Sequence, residues 1–297
     1  MSKTIAITGA NSFIGNALVR ALLKKNYLIK ALVRQIPTDK LEGVLYHSYQ
    51  LDGDIDEAFF SDVEVCIHLA FQYKKQENNG EDVNILAIKN LKKLRLSQYI
   101  FISSFAAAEP VTDSYYGKYK FEAESFFNDD LIIRPALVLG NGGLFGRLQA
   151  QLSKIRFVPL LNGGKQIIQT IFIDDLVNAI IFLMENEAKG IFHIAHPTKV
   201  FYKDFMNDVA KNTQNKIVFI HIPVWFMQLL TAILQLLPNP PIKKDNLTGL
   251  LASKYIDTSR EQSIMPQKWL SISESLVVVV SASLNHRSIS KTKERKL

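Results

Sequence analysis

The hydrophobic positions of this chain change period along its length, and that change outlines its architecture. Through about the first 135 residues, short β-branched runs alternate with segments whose apolar residues recur at helical spacing, the pattern of right-handed βαβ units on a parallel sheet. Strands are predicted near 4–8, 28–34, 44–49, 63–69, 99–104 and 130–134, and helices near 14–25, 82–96 and 115–128. Leu18, Leu22 and Leu23 give the first helix its apolar stripe. Six strands with helices between them predict an α/β fold with a doubly wound parallel sheet.

After Arg134-Pro135 the regularity drops. A glycine-rich turn at 140–143 precedes a helix near 144–155, a loop from Pro159 to Gly164, a strand near 167–173 and a helix near 174–186. A strand at 191–195, a helix at 202–212, a strand at 217–221 and an apolar helix at 225–237 follow, ended by Pro238-Asn239-Pro240-Pro241. The expected division is 1–165 for dinucleotide binding, 166–275 as a mixed, mainly substrate-binding portion that returns elements to the first, and 276–297 as an atypical end. The stretch Ile222 to Pro238 falls short of the about 20 apolar residues a spanning helix needs and reads as a buried helix. Contact with a membrane surface through Trp225, Phe226, Leu229, Leu230 and Ile233 is the less favoured reading. Four consecutive valines at 277–280 favour a buried strand or an aggregation-prone edge over an exposed helix.

The segment Thr8-Gly9-Ala10-Asn11-Ser12-Phe13-Ile14-Gly15, directly after the apolar run 4–7, joins the first strand to the first helix through a glycine turn. Glycine allows a sharp turn and close backbone approach to a pyrophosphate, and the helix offers unpaired N–H groups and a positive dipole end. This predicts a bound dinucleotide on a Rossmann-type sheet with a smaller C-terminal substrate-binding α/β portion. The three-glycine fingerprint is incomplete, because Ser12 stands where a glycine is expected.

Composition narrows the class further. With 297 residues, 47% hydrophobic, the chain can bury a large core. A single cysteine, Cys66, excludes an internal disulfide and a cysteine-rich zinc site; no metal is expected, and a reducing cytoplasm is the expected location. The net charge is +7, of which the last eleven residues carry +4 through Arg287, Lys291, Lys293, Arg295 and Lys296 against Glu294. No Lys/Arg stripe interleaved with aromatics marks the body, so nucleic acid is not an expected partner. The tail reads as a solvated, disordered end with weak attraction to anionic surfaces.

Tyr116 and Lys120 are four apart and share one face of a predicted helix. An ammonium held near a phenol favours the phenolate and brings it toward proton exchange with an alcohol or ketone oxygen. In a chain this rich in lysine, with 10 tyrosines, such a pair arises about once by chance, so spacing alone carries little weight. Ser103 and Ser104 follow a strand and so stand at the carboxyl edge, where doubly wound sheets bind ligands. Two readings of Ser104 stand together: a donor to a reacting oxygen, or a turn-capping hydroxyl.

The glycine turn, the strand-end serine and the Tyr-Lys helix occur in one order along one chain. Together with His68-Leu69-Ala70, Val83-Asn84, Asn90-Leu91, Arg134-Pro135, Gly140 and Phe172-Ile173-Asp174-Asp175, they resemble the extended short-chain dehydrogenase/reductase superfamily of sugar-nucleotide epimerases, reductases and dehydratases. The resemblance implies Tyr116 as acid/base, Lys120 as the group that holds the nicotinamide ribose and lowers the Tyr116 pKa, and Ser104 as the residue orienting the substrate carbonyl. For the cofactor it implies Gly9, Asn11, Ser12, Phe13, Ile14, Gly15, Arg34, Asp52, Leu69, Ala70, Asn84, Lys120 and Pro135. Arg34, where an acidic residue would meet a free 2′-hydroxyl, tilts the expectation from NAD toward NADP; as a surface residue it would carry no such meaning.

The C-terminal half is most similar to reductases and 4-epimerases of UDP-linked N-acetylhexosamines, through Gly190 to Ala195, Ile222-Pro223, Leu247 to Leu251 and Tyr255 to Ser259. The implied reaction is 4-keto reduction at C4 of a UDP-linked hexose or N-acetylhexosamine in surface-polysaccharide precursor synthesis. A 4-epimerase with tightly bound NAD and a non-catalytic NAD(P)-binding scaffold are the alternatives, and a homodimer is expected. Phe105 and Ala106, rather than acidic residues, follow Ser104, which argues against dehydration. Beyond Ser275 the resemblance fails.

Overall fold

A computed structural model describes residues 3–111, 114–213, 215–234, 244–279 and 281. Seven strands form the central sheet: β1 (Thr4–Thr8), β2 (Leu28–Val33), β3 (Val44–Ser48), β4 (Val65–His68), β5 (Gln98–Ile102), β6 (Leu131–Pro135) and β7 (Gly190–Ile194). Their order is β7-β6-β5-β4-β1-β2-β3, with every neighbouring pair parallel. The order reverses between β1 and β4, so the crevice at the switch point opens at the carboxyl ends of these two strands. The doubly wound sheet read from the apolar runs is therefore present, with one more strand than expected. The predicted strand at 191–195 belongs to this sheet, paired with β6 from Gly190↔Leu131 to Ile194↔Pro135.

The helices owe their starts to short polar caps. Ser12 begins α1 (Phe13–Lys24), its Oγ accepting the Gly15 N–H at 3.0 Å, and Leu18, Val19 and Leu22 turn inward. Asp82 caps α2 (Val83–Lys93), whose Lys92 and Lys93 lie at the dipole's negative end. Ser114 caps α3 (Tyr115–Glu124) through the Gly117 N–H at 3.0 Å. Helix α4 (Gly143–Leu152) and α5 (Ile173–Glu185) lie near their predicted bounds.

Contacts divide the chain into two units: Met1–Pro135 with Leu176–Ile194, and Ala136–Asp175 with Ala195–Leu297. The break falls at 135/136 rather than at 165, because 136–165 lies in the second unit and α5 carries the chain back for β7. Within the second unit, Phe157–Leu160 pairs in parallel with Val218–His221 where a loop was expected from Pro159. Asp175, from the Phe172-Ile173-Asp174-Asp175 motif, accepts the Leu270 N–H at 2.8 Å. Gln169 and Ile256 exchange two hydrogen bonds of 2.8 Å.

Two apolar segments behave differently from their sequence reading. Helix α6 (Tyr202–Asn212) is as predicted, but α7 (Val224–Leu234) is not a buried helix. It buries Met227 against Leu161 and Leu247 and leaves Trp225, Phe226, Leu229 and Ile233 exposed. The valine run is helical over 272–279. Ile272, Ser275, Leu276 and Val279 are its buried positions, a helical period that β propensity obscured, while Val277 and Val278 face outward. The basic tail and Pro238-Asn239-Pro240-Pro241 lie outside the described residues.

A buried ion pair fastens α3 to the sheet. Arg134 of β6 donates from Nε and Nη2 to both oxygens of Glu124, at 2.8 and 2.5 Å, and Ser103 Oγ donates to the same carboxylate. Removing one partner leaves the other charge buried and unpaired. Glu124→Ala is expected to cost about 3–5 kcal/mol in urea denaturation, and Glu124→Met with Arg134→Met is expected to recover most of it.

Candidate active site

The switch point of the sheet is built around one threonine. Thr8 ends β1 opposite His68 of β4. Its Oγ1 accepts the N–H groups of Leu69 and Ala70, each at 3.2 Å, so its own hydrogen goes to His68 Nδ1, 2.7 Å away. This arithmetic assigns the His68 proton to Nε2, which has no hydrogen-bond partner among the described residues. Burial, reinforced by the nearby Lys120 charge, brings His68 down to about 3, so the ring stays neutral at physiological pH.

That arrangement holds 69–70 against the glycine turn. Gly9 has φ +69°, and a Cβ there would stand 2.9 Å from the Ala70 nitrogen. A Cβ on Gly15 would lie 2.4 Å from the Gly9 oxygen, so α1 can start this close to β1 only with glycine. Ser12 does not crowd the turn; its hydroxyl is the helix cap. Asn11 and Ser12 are exposed and Phe13 and Ile14 half-buried at the end of α1, which has no acidic side chain in its first turn. The first-turn amides have no intrahelical acceptor. This end of the sheet therefore fits a pyrophosphate, with Gly9, Asn11, Ser12, Phe13, Ile14 and Gly15 around it.

The other expected cofactor residues are spread along the same edge. Arg34 is exposed just beyond β2, next to Gln35, whose carbonyl accepts from Asn11 Nδ2 at 3.2 Å. Asp52 lies exposed on a turn beyond β3, and Pro135 is buried at the end of β6. Asn84 is buried and committed to the fold: Oδ1 accepts the Gln72 N–H at 2.7 Å, and Nδ2 lies 2.9 Å from the Tyr115 hydroxyl. Tyr115 in turn donates to Asp82 Oδ2 at 2.6 Å.

Ser104, Tyr116 and Lys120 come together beside this crevice. Ser104 caps the short turn Phe105–Ala107 by accepting the Ala106 N–H at 3.2 Å, and its hydroxyl lies near enough to the Tyr116 phenol to lower its pKa. The turn-capping reading of Ser104 is the one the Ala106 bond shows. Lys120 is buried, its Nζ donating to the Ile102 carbonyl at 2.7 Å and lying 4.5 Å from the Phe101 ring centroid and 5.9 Å from that of Tyr116. Burial brings its pKa down to about 7, opposed by the negative charge of Glu124. The expectation that Lys120 lowers the Tyr116 pKa is not met here. Burial pushes the phenol up, the Tyr73 hydroxyl adds to the rise, and the Ser104 hydroxyl only partly offsets them.

An aromatic wall that the sequence reading missed covers Tyr116. Phe71 packs edge-on at 5.0 Å between centroids and Tyr73 stacks at 5.8 Å with planes 17° apart. Phe71 also meets Tyr119 at 4.8 Å. The available signal was the aromatic pair just after the His68-Leu69-Ala70 strand end; which way that loop folds depends on the Asp82–Asn84–Tyr115 network.

Comparison with known proteins agrees with this geometry. The sequence profile of the NAD dependent epimerase/dehydratase family matches residues 5–135. The UDP-glucose 4-epimerase of Vibrio cholerae is 24% identical over 268 residues, 77% of this chain and 81% of that protein. The CDP-abequose synthase of Salmonella muenchen is 30% identical over 127 residues, spanning only 40% of each chain. In fold, the crystal structure of UDP-N-acetylglucosamine 4-epimerase from Bacillus cereus superposes with a TM-score of 0.70 over 95% of this chain and 96% of that one, at 16% identity.

Titration of Lys120 has a checkable consequence. Between about pH 7 and its ordinary value of 10.5 the unfolded chain holds a proton that the buried amine has lost, so stability rises with pH in that window. Between pH 7 and 9 urea denaturation is expected to show a gain of about 1 kcal/mol per pH unit, and Lys120→Met is expected to flatten it. From residue 5 to residue 135, glycine turn through β6, this chain matches the NAD dependent epimerase/dehydratase family.

Proposed function

We propose that this protein is an NAD(P)-dependent oxidoreductase acting at C4 of a UDP-linked hexose or N-acetylhexosamine, most readily in the direction of 4-keto reduction. One observation carries the reading: a phenol beside a strand-end serine, one helical turn from a buried lysine, stands near a glycine turn built for a pyrophosphate. Bound NAD(P)H supplies the hydride.

The protein's own groups handle position and proton. Ser104 Oγ and Tyr116 Oη would share the substrate's C4 oxygen. Tyr116 is held in its protonated form by burial, the state required to give a proton to an oxygen gaining negative charge. Lys120 Nζ, anchored on the Ile102 carbonyl, has further N–H bonds for a ribose hydroxyl. Phe71 and Tyr73 pack against the phenol ring. Arg34, exposed at the end of β2, suits a 2′-phosphate and therefore NADP(H). The first unit would hold the dinucleotide.

A 4-epimerase is the second reading, favoured by similarity to the Vibrio cholerae UDP-glucose 4-epimerase along 77% of the chain. Two measurements test these assignments. Tyr116→Phe is expected to leave dinucleotide binding within about twofold while lowering turnover by at least about 100-fold; retained turnover would remove the phenol from the chemistry. Cofactor released on denaturation separates the readings: a reductase yields little bound dinucleotide and consumes NAD(P)H in step with product, whereas stoichiometric tightly held NAD marks the epimerase.

A further inference from the structure

The second unit displays an apolar surface that its own core does not use. Along 218–233 the chain exposes Val218 and Ile220 on a strand, then Trp225, Phe226, Leu229 and Ile233 on α7. Phe157, opposite Val218 in the parallel pair, is exposed with them. The inner side of α7 is already satisfied by Met227 against Leu161 and Leu247. Trp225 is 66% exposed, Leu229 53% and Ile233 55%, a cost in hydrated apolar area that a surface of no use would not keep.

Charge indicates what covers this face. The segments that build it contain no acidic residue, neither between Asp130 and Asp174 nor between Asp208 and Asp245. Lys154 and Arg156 are exposed immediately before Phe157, and Lys216 immediately before Val218. A second copy would bring the same positive charges into opposition with no carboxylates to offset them. Phosphates of a nucleic acid would match the lysines and leave the aliphatic side chains in water. Tryptophan and aliphatic side chains flanked by basic groups match the boundary between acyl chains and anionic headgroups. None of the described helices is long and apolar enough to cross a membrane, so the contact would lie along the surface.

We propose that this face docks the protein onto an anionic lipid bilayer through Trp225, Phe226, Leu229 and Ile233, steadied by Lys154, Arg156 and Lys216. The inference does not depend on the reaction assigned above, and its test needs no substrate. Of the two tryptophans, Trp269 is 2% exposed, so Trp225 reports on this surface. The full chain is mixed with vesicles of pure phosphatidylcholine or of phosphatidylcholine with about one third phosphatidylglycerol, and binding is read by co-sedimentation and tryptophan emission. Binding to the anionic vesicles with a blue shift that Trp225→Phe abolishes is expected, together with a loss of about tenfold or more in Phe226→Glu/Leu229→Glu. Circular dichroism and denaturation check that this double variant stays folded, as its solvent-facing positions predict. Equal binding by the double variant assigns attraction to the basic tail and overturns the proposal. A blue shift that grows with protein concentration without vesicles makes a second copy the occupant, and that also overturns it.

Discussion

A lysine ammonium carried into the core constrains this site more than any other single feature. Lys120 sits beneath the aromatic wall with the Ile102 carbonyl as a hydrogen-bond acceptor, and an ammonium in such surroundings is tolerated only when it is held in place and an opposite charge lies near it. Glu124 supplies that charge from one turn further along α3. Glu124 is itself affordable in the core because Arg134 clasps it from β6 and Ser103 donates from the end of β5. Helix α3, which carries Tyr116 and Lys120, is thus fixed to β6 and to the end of β5, which leads into Ser104, through one carboxylate.

A neutral lock does the same on the other side of the crevice. The hydroxyl of Thr8 spends both acceptor positions on the amides of 69–70 and its hydrogen on His68. This orients the backbone at the very point where the sheet changes direction, and Gly9 closes against it. Motif residues of this kind are easily taken for ligand contacts. Thr8 and His68 are bonded to each other and Thr8 to the amides of 69–70, and Asn84 is bonded to the Gln72 backbone, so each shapes the seat.

How much was legible in the sequence follows from the range of the interactions involved. The glycine turn and the six N-terminal strands could be read because close approach at Gly9 and Gly15 and the run of β-branched residues are local constraints. The order Ser104, Tyr116, Lys120 was legible as a spacing, and helix geometry converted that spacing into proximity. A return of elements from 166–275 to the first portion was expected, but which strand returns and to which edge rests on the pairing of β7 with β6 across nearly sixty positions. Sequence could not give the aromatic wall, since Phe71 reaches Tyr116 only after Asp82, Asn84 and Tyr115 have fixed the loop. The valine run failed for a different reason: four valines favour a strand, but the buried positions at 272, 275, 276 and 279 outweighed that preference.

The same burial that organises the site sets its proton inventory. Desolvation is the leading cause for Tyr116, Lys120 and His68 alike, and in each it favours the uncharged form. The phenol therefore keeps its proton, the imidazole refuses one, and the amine lies near its balance point at neutral pH. A site prepared in this way has a proton to give at Tyr116 Oη and lacks a strong base to take one. An oxygen that gains negative charge there is met by a donor already in place, whereas an alcohol that must lose its proton first needs new positive charge beside the phenol. For the proposed carbonyl reduction the resting arrangement already presents the donor that step needs, whereas oxidation of an alcohol would need the electrostatics of the crevice to change first.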